Sequence, residues 1–123
     1  MIVNVCFGTT DLERSGKFYD AIAGAMGLDR TQQTEKAIWW GKPGVGIGFA
    51  VTLPFNGEPA TDGNGVMATI GATDRAEVDR IYAAAMATGG SDEGGPGVRP
   101  NGYYVAYWRD PDGNKMNAVS LSG

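Results

Sequence analysis

"YYVAYWRDPDGNKMNAV", residues 103 to 119, is the stretch whose reading decides the fold. Two runs of alternating residues flank Asp110-Pro111-Asp112-Gly113, and a glycine where the chain needs a positive backbone angle makes this a short hairpin turn. Pairing Asp110 near Asn114 sets Tyr107 beside Asn117 on one face, with Val105 and Val119. Ala106, Trp108, Met116 and Ala118 then point to the other face, where small residues around a tryptophan suit a packed helix. The hairpin carries a neutral amide at position 117, and the chain contains no histidine.

Working outward, the same hairpin occurs earlier in weaker form. "AIWWGKPGVGIGFAV" from residue 37 meets "VAYWRDPDGNKMNAV" from residue 105 at an offset of 68, placing Trp40 on Trp108, Pro43 on Pro111, Ala50 on Ala118 and Val51 on Val119. Upstream, "NVCFGTTDLERSGKFYDAIAGAMG" from residue 4 meets "MATIGATDRAEVDRIYAAAMATGG" from residue 67 at an offset of 63. This aligns Gly8 with Gly71, Thr10 with Thr73, Asp11 with Asp74, Tyr19 with Tyr82, Ala21 with Ala84 and Gly27 with Gly90. Glycine and alanine are abundant enough to match by chance in one block. Two blocks in the same order mark one unit written twice.

Each unit opens with a strand and continues with a helix. Val3, Val5 and Phe7 alternate with Asn4 and Cys6, and Val66, Ala68 and Ile70 alternate with Met67 and Thr69. Thr10 with Glu13 reads as a capping box for a helix whose buried face is Leu12, Tyr19, Ile22 and Met26 and whose end is Gly27. Thr73 or Asp74 caps the second helix, Val78, Ile81, Tyr82 and Ala85 line it, and Gly89-Gly90 stops it. Glycine-punctuated strands follow each helix. The fold class expected is α+β, with helices on one side of a mostly antiparallel sheet.

Composition sets the outer bounds. A chain of 123 residues, 42% apolar and 20% charged, is long enough for one globular domain and too short for two, so residues 1–123 read as a single domain with module one about 1–60 and module two about 61–123. The net charge of −4, with lysines and arginines scattered singly, gives no basic stripe for phosphates and argues against nucleic acid as a partner. No apolar run approaches the roughly 18 residues of a membrane span, and the opening "MIVNVCFGTTDL" lacks the pattern of a signal peptide. Cytoplasmic residence, away from membranes, is the expectation, and the single Cys6 agrees with a reducing compartment.

If the apolar faces of the opening strands are helix-covered, Asn4, Cys6, Met67, Thr69, Tyr107 and Asn117 lie on the other side of the sheet, with Trp39 as the repeat partner of Tyr107. A curved sheet lined by such polar, soft and aromatic groups can hold an organic ligand. It can equally be buried in a dimer interface, where tryptophan, tyrosine and methionine are enriched.

At this point the residues carry a family likeness. A strand leading to "TDLERSGKFYDAIAGAMGL", then "NGVMATIGATDRAEVDRIYAAAMATGG", then "GYYVAYWRDPDGNKMNAV" resembles the glyoxalase/bleomycin-resistance/extradiol-dioxygenase (vicinal oxygen chelate) superfamily over essentially the whole chain. The resemblance implies two βαβββ modules forming a U-shaped sheet around a cavity, helices outside, and a homodimer. It also implies one divalent metal held by His, Gln or Glu from four strands, which in these enzymes polarises vicinal oxygens. Carried over by position, the ligand sites fall on Asn4, Met67 and Asn117, and the repeat maps Asn117 back to Phe49. An amide is a weak neutral donor, a thioether suits soft metals and a phenyl ring donates nothing. No metal and no other cofactor is therefore expected.

Weaker signals resolve into structure. "GVGIG", Gly44 to Gly48, has the wrong spacing for a dinucleotide fingerprint and reads as a hairpin, and "DPDGN" has its glycine at the wrong place for a calcium loop. Cys6 has no histidine to activate it and reads as a packing residue. Arg109 and Lys115 share the cavity-face parity but read as solvated charges at a hairpin end, and "SDEGGPG", residues 91–97, reads as a flexible acidic loop.

The function expected is binding of a small organic molecule in the cavity by Asn4, Cys6, Trp39, Phe49, Met67, Thr69, Tyr107 and Asn117, without metal; no catalytic residue is assigned. One alternative is a lyase, isomerase or dioxygenase-type enzyme of the same superfamily. The other is a dimerising scaffold whose aromatic side chains fill the space themselves.

Overall fold

In the computed structural model, which describes residues 1–123, each half of the chain is a strand, a helix and three further strands. The first half runs β1 (Asn4–Gly8), α1 (Leu12–Met26), β2 (Asp29–Gln33), β3 (Ala37–Gly41) and β4 (Gly48–Thr52). The second runs β5 (Met67–Ala72), α2 (Arg75–Ala87), β6 (Ser91–Val98), β7 (Tyr104–Arg109) and β8 (Lys115–Ser120). Two sheets result, ordered β1-β4-β3-β2 and β5-β8-β7-β6, with β1/β4 and β5/β8 parallel and the remaining neighbours antiparallel. The expected U is thus made of two open four-stranded sheets, with no strand pair joining them.

Both helices start on an aspartate. Asp11 accepts a hydrogen bond from the Arg14 N–H, and Asp74 accepts one from the Glu77 N–H. Each side chain thereby satisfies a donor that the first turn leaves free. Asp11, and not Thr10, is the cap of α1, because Thr10 is turned toward the second module. Gly27 ends α1 with φ 73°, the left-handed conformation expected of it.

The helix faces meet the sheets over one shared core of 17 buried residues drawn from both modules. Tyr19 is its centre: Phe7 stacks on it at 5.4 Å, Phe18 meets it edge-on at 5.0 Å, and Trp40 and Phe49 lie at 5.7 and 5.5 Å. In the second module Val78, Ile81 and Ala85 of α2 pack over Ala106, Trp108, Met116 and Ala118, the face assigned to a helix from the sequence. On the opening strand only Phe7 is buried; Val3 and Val5 are 55% and 38% exposed, because β1 is an edge strand.

Two loops differ from expectation. The segment 91–97 is not a loop but most of β6, paired to β7 with two register shifts that absorb its glycines and proline. The β3–β4 turn encloses six residues, Lys42 to Ile47, whereas the β7–β8 turn encloses five, Asp110 to Asn114. Gly48 closes the longer turn, where an added Cβ would lie 2.0 Å from the Trp40 carbonyl oxygen.

Candidate functional site

That single extra residue decides which side chains reach the open face. Trp40 and Trp108 keep the offset of 68, but across the turn Phe49 pairs with Trp40 as Met116 pairs with Trp108, so the offset falls to 67. A one-residue slip sends every side chain of a strand to the opposite face. Phe49 is therefore not the counterpart of Asn117. It lies on the helix side, 8% exposed, stacked on Trp40 at 5.5 Å, and Ala50 takes the open-face position.

With that correction the open faces of the two sheets correspond row by row. Across β1-β4-β3 the row is Cys6, Ala50, Trp39; across β5-β8-β7 it is Thr69, Asn117, Tyr107. Two residues along, on the same face, Asn4 pairs with Gly48, and Met67 pairs with Lys115. Asn4, Cys6 and Trp39 thus belong to one face, and Met67, Thr69, Tyr107 and Asn117 to the other. Asn4 and Trp39 line a cleft of about 380 Å³ with Thr31 and the β3–β4 turn. Met67 lines another of about 380 Å³ with Asp62, Arg109 and Lys115.

Asn117 is 5% exposed, and its Oδ1 is buried with no hydrogen-bond partner. The Ser15 hydroxyl and the Trp108 indole N–H are buried without a partner in the same way. Around Asn117 are Thr69 and Tyr107 as cross-strand neighbours, and Lys115 on the same strand. The Lys115 Nζ lies 5.7 Å from the Tyr107 ring centroid, and the Arg99 guanidinium lies 5.5 Å from the same ring. Arg109 is not simply solvated: it pairs with Glu93 and Asp62 and donates to the Gly113 carbonyl at 2.7 Å.

The thiol of Cys6 is pushed above its ordinary pKa by burial, even though the residue remains partly exposed. No cation lies against it to hold a thiolate. No three Cys, Asp or Glu side chains converge into a group that can hold a metal ion.

The "DPDGN" segment does its work behind the open face, as a clasp between the modules. The Asp110 carboxylate is buried and accepts from the Tyr19 hydroxyl at 2.6 Å, from both the backbone N–H and side-chain amide of Asn114, and from the Asp112 N–H. Asn114 also donates to the Gly8 carbonyl at 2.9 Å. Asp112 reaches Thr9, Thr10 and Arg14 at the start of α1. Burial pushes the Asp110 carboxyl above its usual range, against hydrogen bonds that favour its charge, and holds the Tyr19 phenol well above its own. These contacts were not foreseen, because no local periodicity ties residue 112 to residue 9.

The fold is matched by comparison with known proteins. Residues 2–117 match the Glyoxalase/Bleomycin resistance protein/Dioxygenase superfamily. The chain belongs to this superfamily. A glyoxalase/bleomycin resistance protein from Albidiferax ferrireducens T118 is 40% identical, with 98% of each chain covered and a TM-score of 0.89. A glyoxalase-related enzyme from Fulvimarina pelagi shares the fold at 21% identity, covering 99% of this chain and 88% of that one, TM-score 0.79. Lactoylglutathione lyase from Agrobacterium tumefaciens shares it at 22% identity, covering 99% and 94%, TM-score 0.70. No curated protein matches. No helix of this superfamily member is long and apolar enough to cross a membrane.

Proposed function

We propose that this superfamily member binds a small organic molecule on the open faces of its sheets and does so without a metal. The observation that carries the reading is the identity of the four side chains where the family resemblance places ligands: Asn4, Met67, Asn117 and, after the register correction, Ala50. An amide pair, a thioether and a methyl group bring no charge to offset the dehydration of a divalent ion. The faces bring instead the indole of Trp39, the phenol of Tyr107 and the amide of Asn117, the mixture of apolar surface and few placed polar groups that organic ligands take.

The cavity is completed by a second copy of the chain. Supporting this are the open edge strands β1 and β5 and the apolar residues beside them, Ile2, Val3, Val66 and Met67, which are 76%, 55%, 65% and 43% exposed. Uncovered edges and patches of this kind are disfavoured on a monomer. Neither face carries a histidine, the usual acid–base group at neutral pH.

Native mass spectrometry of the protein as it comes from cells tests the reading. A dimer carrying organic mass is expected. A dimer carrying only a metal-sized increment would sink the metal-free assignment.

A further inference from the structure

The second sheet's open face holds an excess of positive charge on a protein whose net charge is −4. Arg99 and Lys115 reach one phenol ring, that of Tyr107, from the β6–β7 connection and from β8. Neither has a carboxylate within ion-pair distance; Arg99 donates only to the Gly95 carbonyl. The third cation, Arg109, is already balanced by Glu93 and Asp62. A cation over a tyrosine ring at an exposed site is only weakly held, so both charges are free to meet an anion.

Asn117 supplies the second half of the pattern. It lies directly cross-strand from Tyr107 and two residues along β8 from Lys115, and because its Oδ1 is fully enclosed the amide meets the open face through its N–H₂ end. Positions i and i+2 of a strand face the same way about 7 Å apart, and two hydrogen bonds of about 3 Å take up most of that span. A ligand lying along β8 therefore needs an anionic group and a hydrogen-bond acceptor within a few bonds of each other.

Resting on the organic-ligand reading above, we propose that this face is selective for small organic acids. The carboxylate sits against Lys115, in the field of Arg99, and an acceptor oxygen of the same molecule takes a hydrogen bond from the Asn117 amide N–H. Met67 and the cleft of about 380 Å³ bordered by Asp62, Arg109 and Lys115 leave room for the rest of the molecule. A cationic ligand is rejected by the same charges.

The test uses the whole protein and three probes of one size: phenyllactate, its neutral carboxamide, and phenethylamine as the cation. Amide and methyl resonances followed by NMR titration read both the affinity and the place. The expected result is that phenyllactate shifts signals of Tyr107, Lys115 and Asn117 and binds at least about tenfold more tightly than the carboxamide, since a charge-assisted contact is worth about 1.5–3 kcal/mol. Lys115→Gln and Arg99→Gln together remove that preference while the remaining spectrum stays in place; Asn117→Asp, which sets a carboxylate against the ligand's own, weakens phenyllactate further. Equal binding of acid and carboxamide, or tighter binding of the amine, overturns the acid selectivity while leaving organic binding intact. No shift on this face with any probe, together with a dimer weakened by Lys115→Gln and Arg99→Gln, overturns both readings and assigns the cations to the partner copy.

Discussion

The Asp112 carboxylate accepts a hydrogen bond from the Thr9 hydroxyl at 2.6 Å, joining the last turn of the chain to its first helix across 103 residues. Asp112 is 6% exposed in its side chain, and the same carboxylate takes the Thr10 N–H at 3.0 Å and the Arg14 guanidinium at 2.8 Å. A negative charge at a helix N-terminus is favourable in its own right. Asp112→Ala is expected to destabilise the fold by about 2–4 kcal/mol in urea unfolding, with the half-exposed Arg14 pair a small part of the loss. A double-mutant cycle with Thr9→Ala should return a coupling of about 1–2 kcal/mol, and a coupling near zero would remove the clasp.

Tyr19 and Asp110 set a dependence on alkaline pH. The Tyr19 phenol is held well above 10.0 by burial first and by the neighbouring Asp110 charge second. Its folded pKa is raised, so its contribution is fully present below pH 10 and is lost as the unfolded phenol ionises above it. Tyr82 and Tyr104, hydrogen-bonded to Asp92 and Asp79, are raised in the same direction and leave a residual slope. Tyr19→Phe should lower stability at pH 7 by about 1 kcal/mol, the net value of one hydrogen bond, yet flatten the fall above pH 10. Parallel curves for the two proteins would contradict this.

How much of this was legible in the sequence follows from the range of each signal. The alternation in 103–119, the two helix faces and the glycine stops are local, and the chain reports them in the right order. The face of Tyr107 and Asn117 was read correctly because a short turn fixes register within its own hairpin. Phe49 was misplaced because the repeat was carried through a turn that is one residue longer in the first module, and period-2 structure turns such an error into a reversal of face. β6 was read as a loop because its glycines and Pro96 are bulge residues as often as breakers. The clasp of Asp112 on Thr9 and the gathering of Arg99 with Lys115 are long-range, and no spacing in the chain announces them.

The reversal at Phe49 has a direct check. Stacked on Trp40 in the core, Phe49→Ala should cost about 3–5 kcal/mol, the range for a buried aromatic cut to alanine. Ala50, on the opposite face of β4, is small and fully buried, so Ala50→Ser should cost less, about 1–3 kcal/mol for an unpaired hydroxyl. A mild Phe49→Ala with altered binding would restore the original register.

Cys6 should react slowly. With its thiol pushed up by burial and no cation beside it, modification by iodoacetamide at pH 8 is expected to be slower than that of free cysteine. Cys6→Ser should leave organic-ligand binding within about twofold, since neither partner of a strong hydrogen bond is removed. Fast alkylation, or loss of binding, would make Cys6 a reactive group of the site.

Removal of metal tests the proposed difference between this protein and the chelating members of its superfamily. A ligand bound only to the folded state stabilises it by about 2.7 kcal/mol at a hundred times its dissociation constant, and stripping a resident ion reverses that gain. Asn4, Ala50, Met67 and Asn117 offer no charge to hold such an ion, and no acidic or thiol cluster replaces them. Dialysis against EDTA should therefore leave both the melting temperature and the affinity for a bound organic acid unchanged, and re-addition of zinc, nickel or manganese should raise neither. A melting temperature that falls on chelation and returns with one of these ions would place a metal on the open faces despite their neutral side chains, with the missing donors supplied by the second copy.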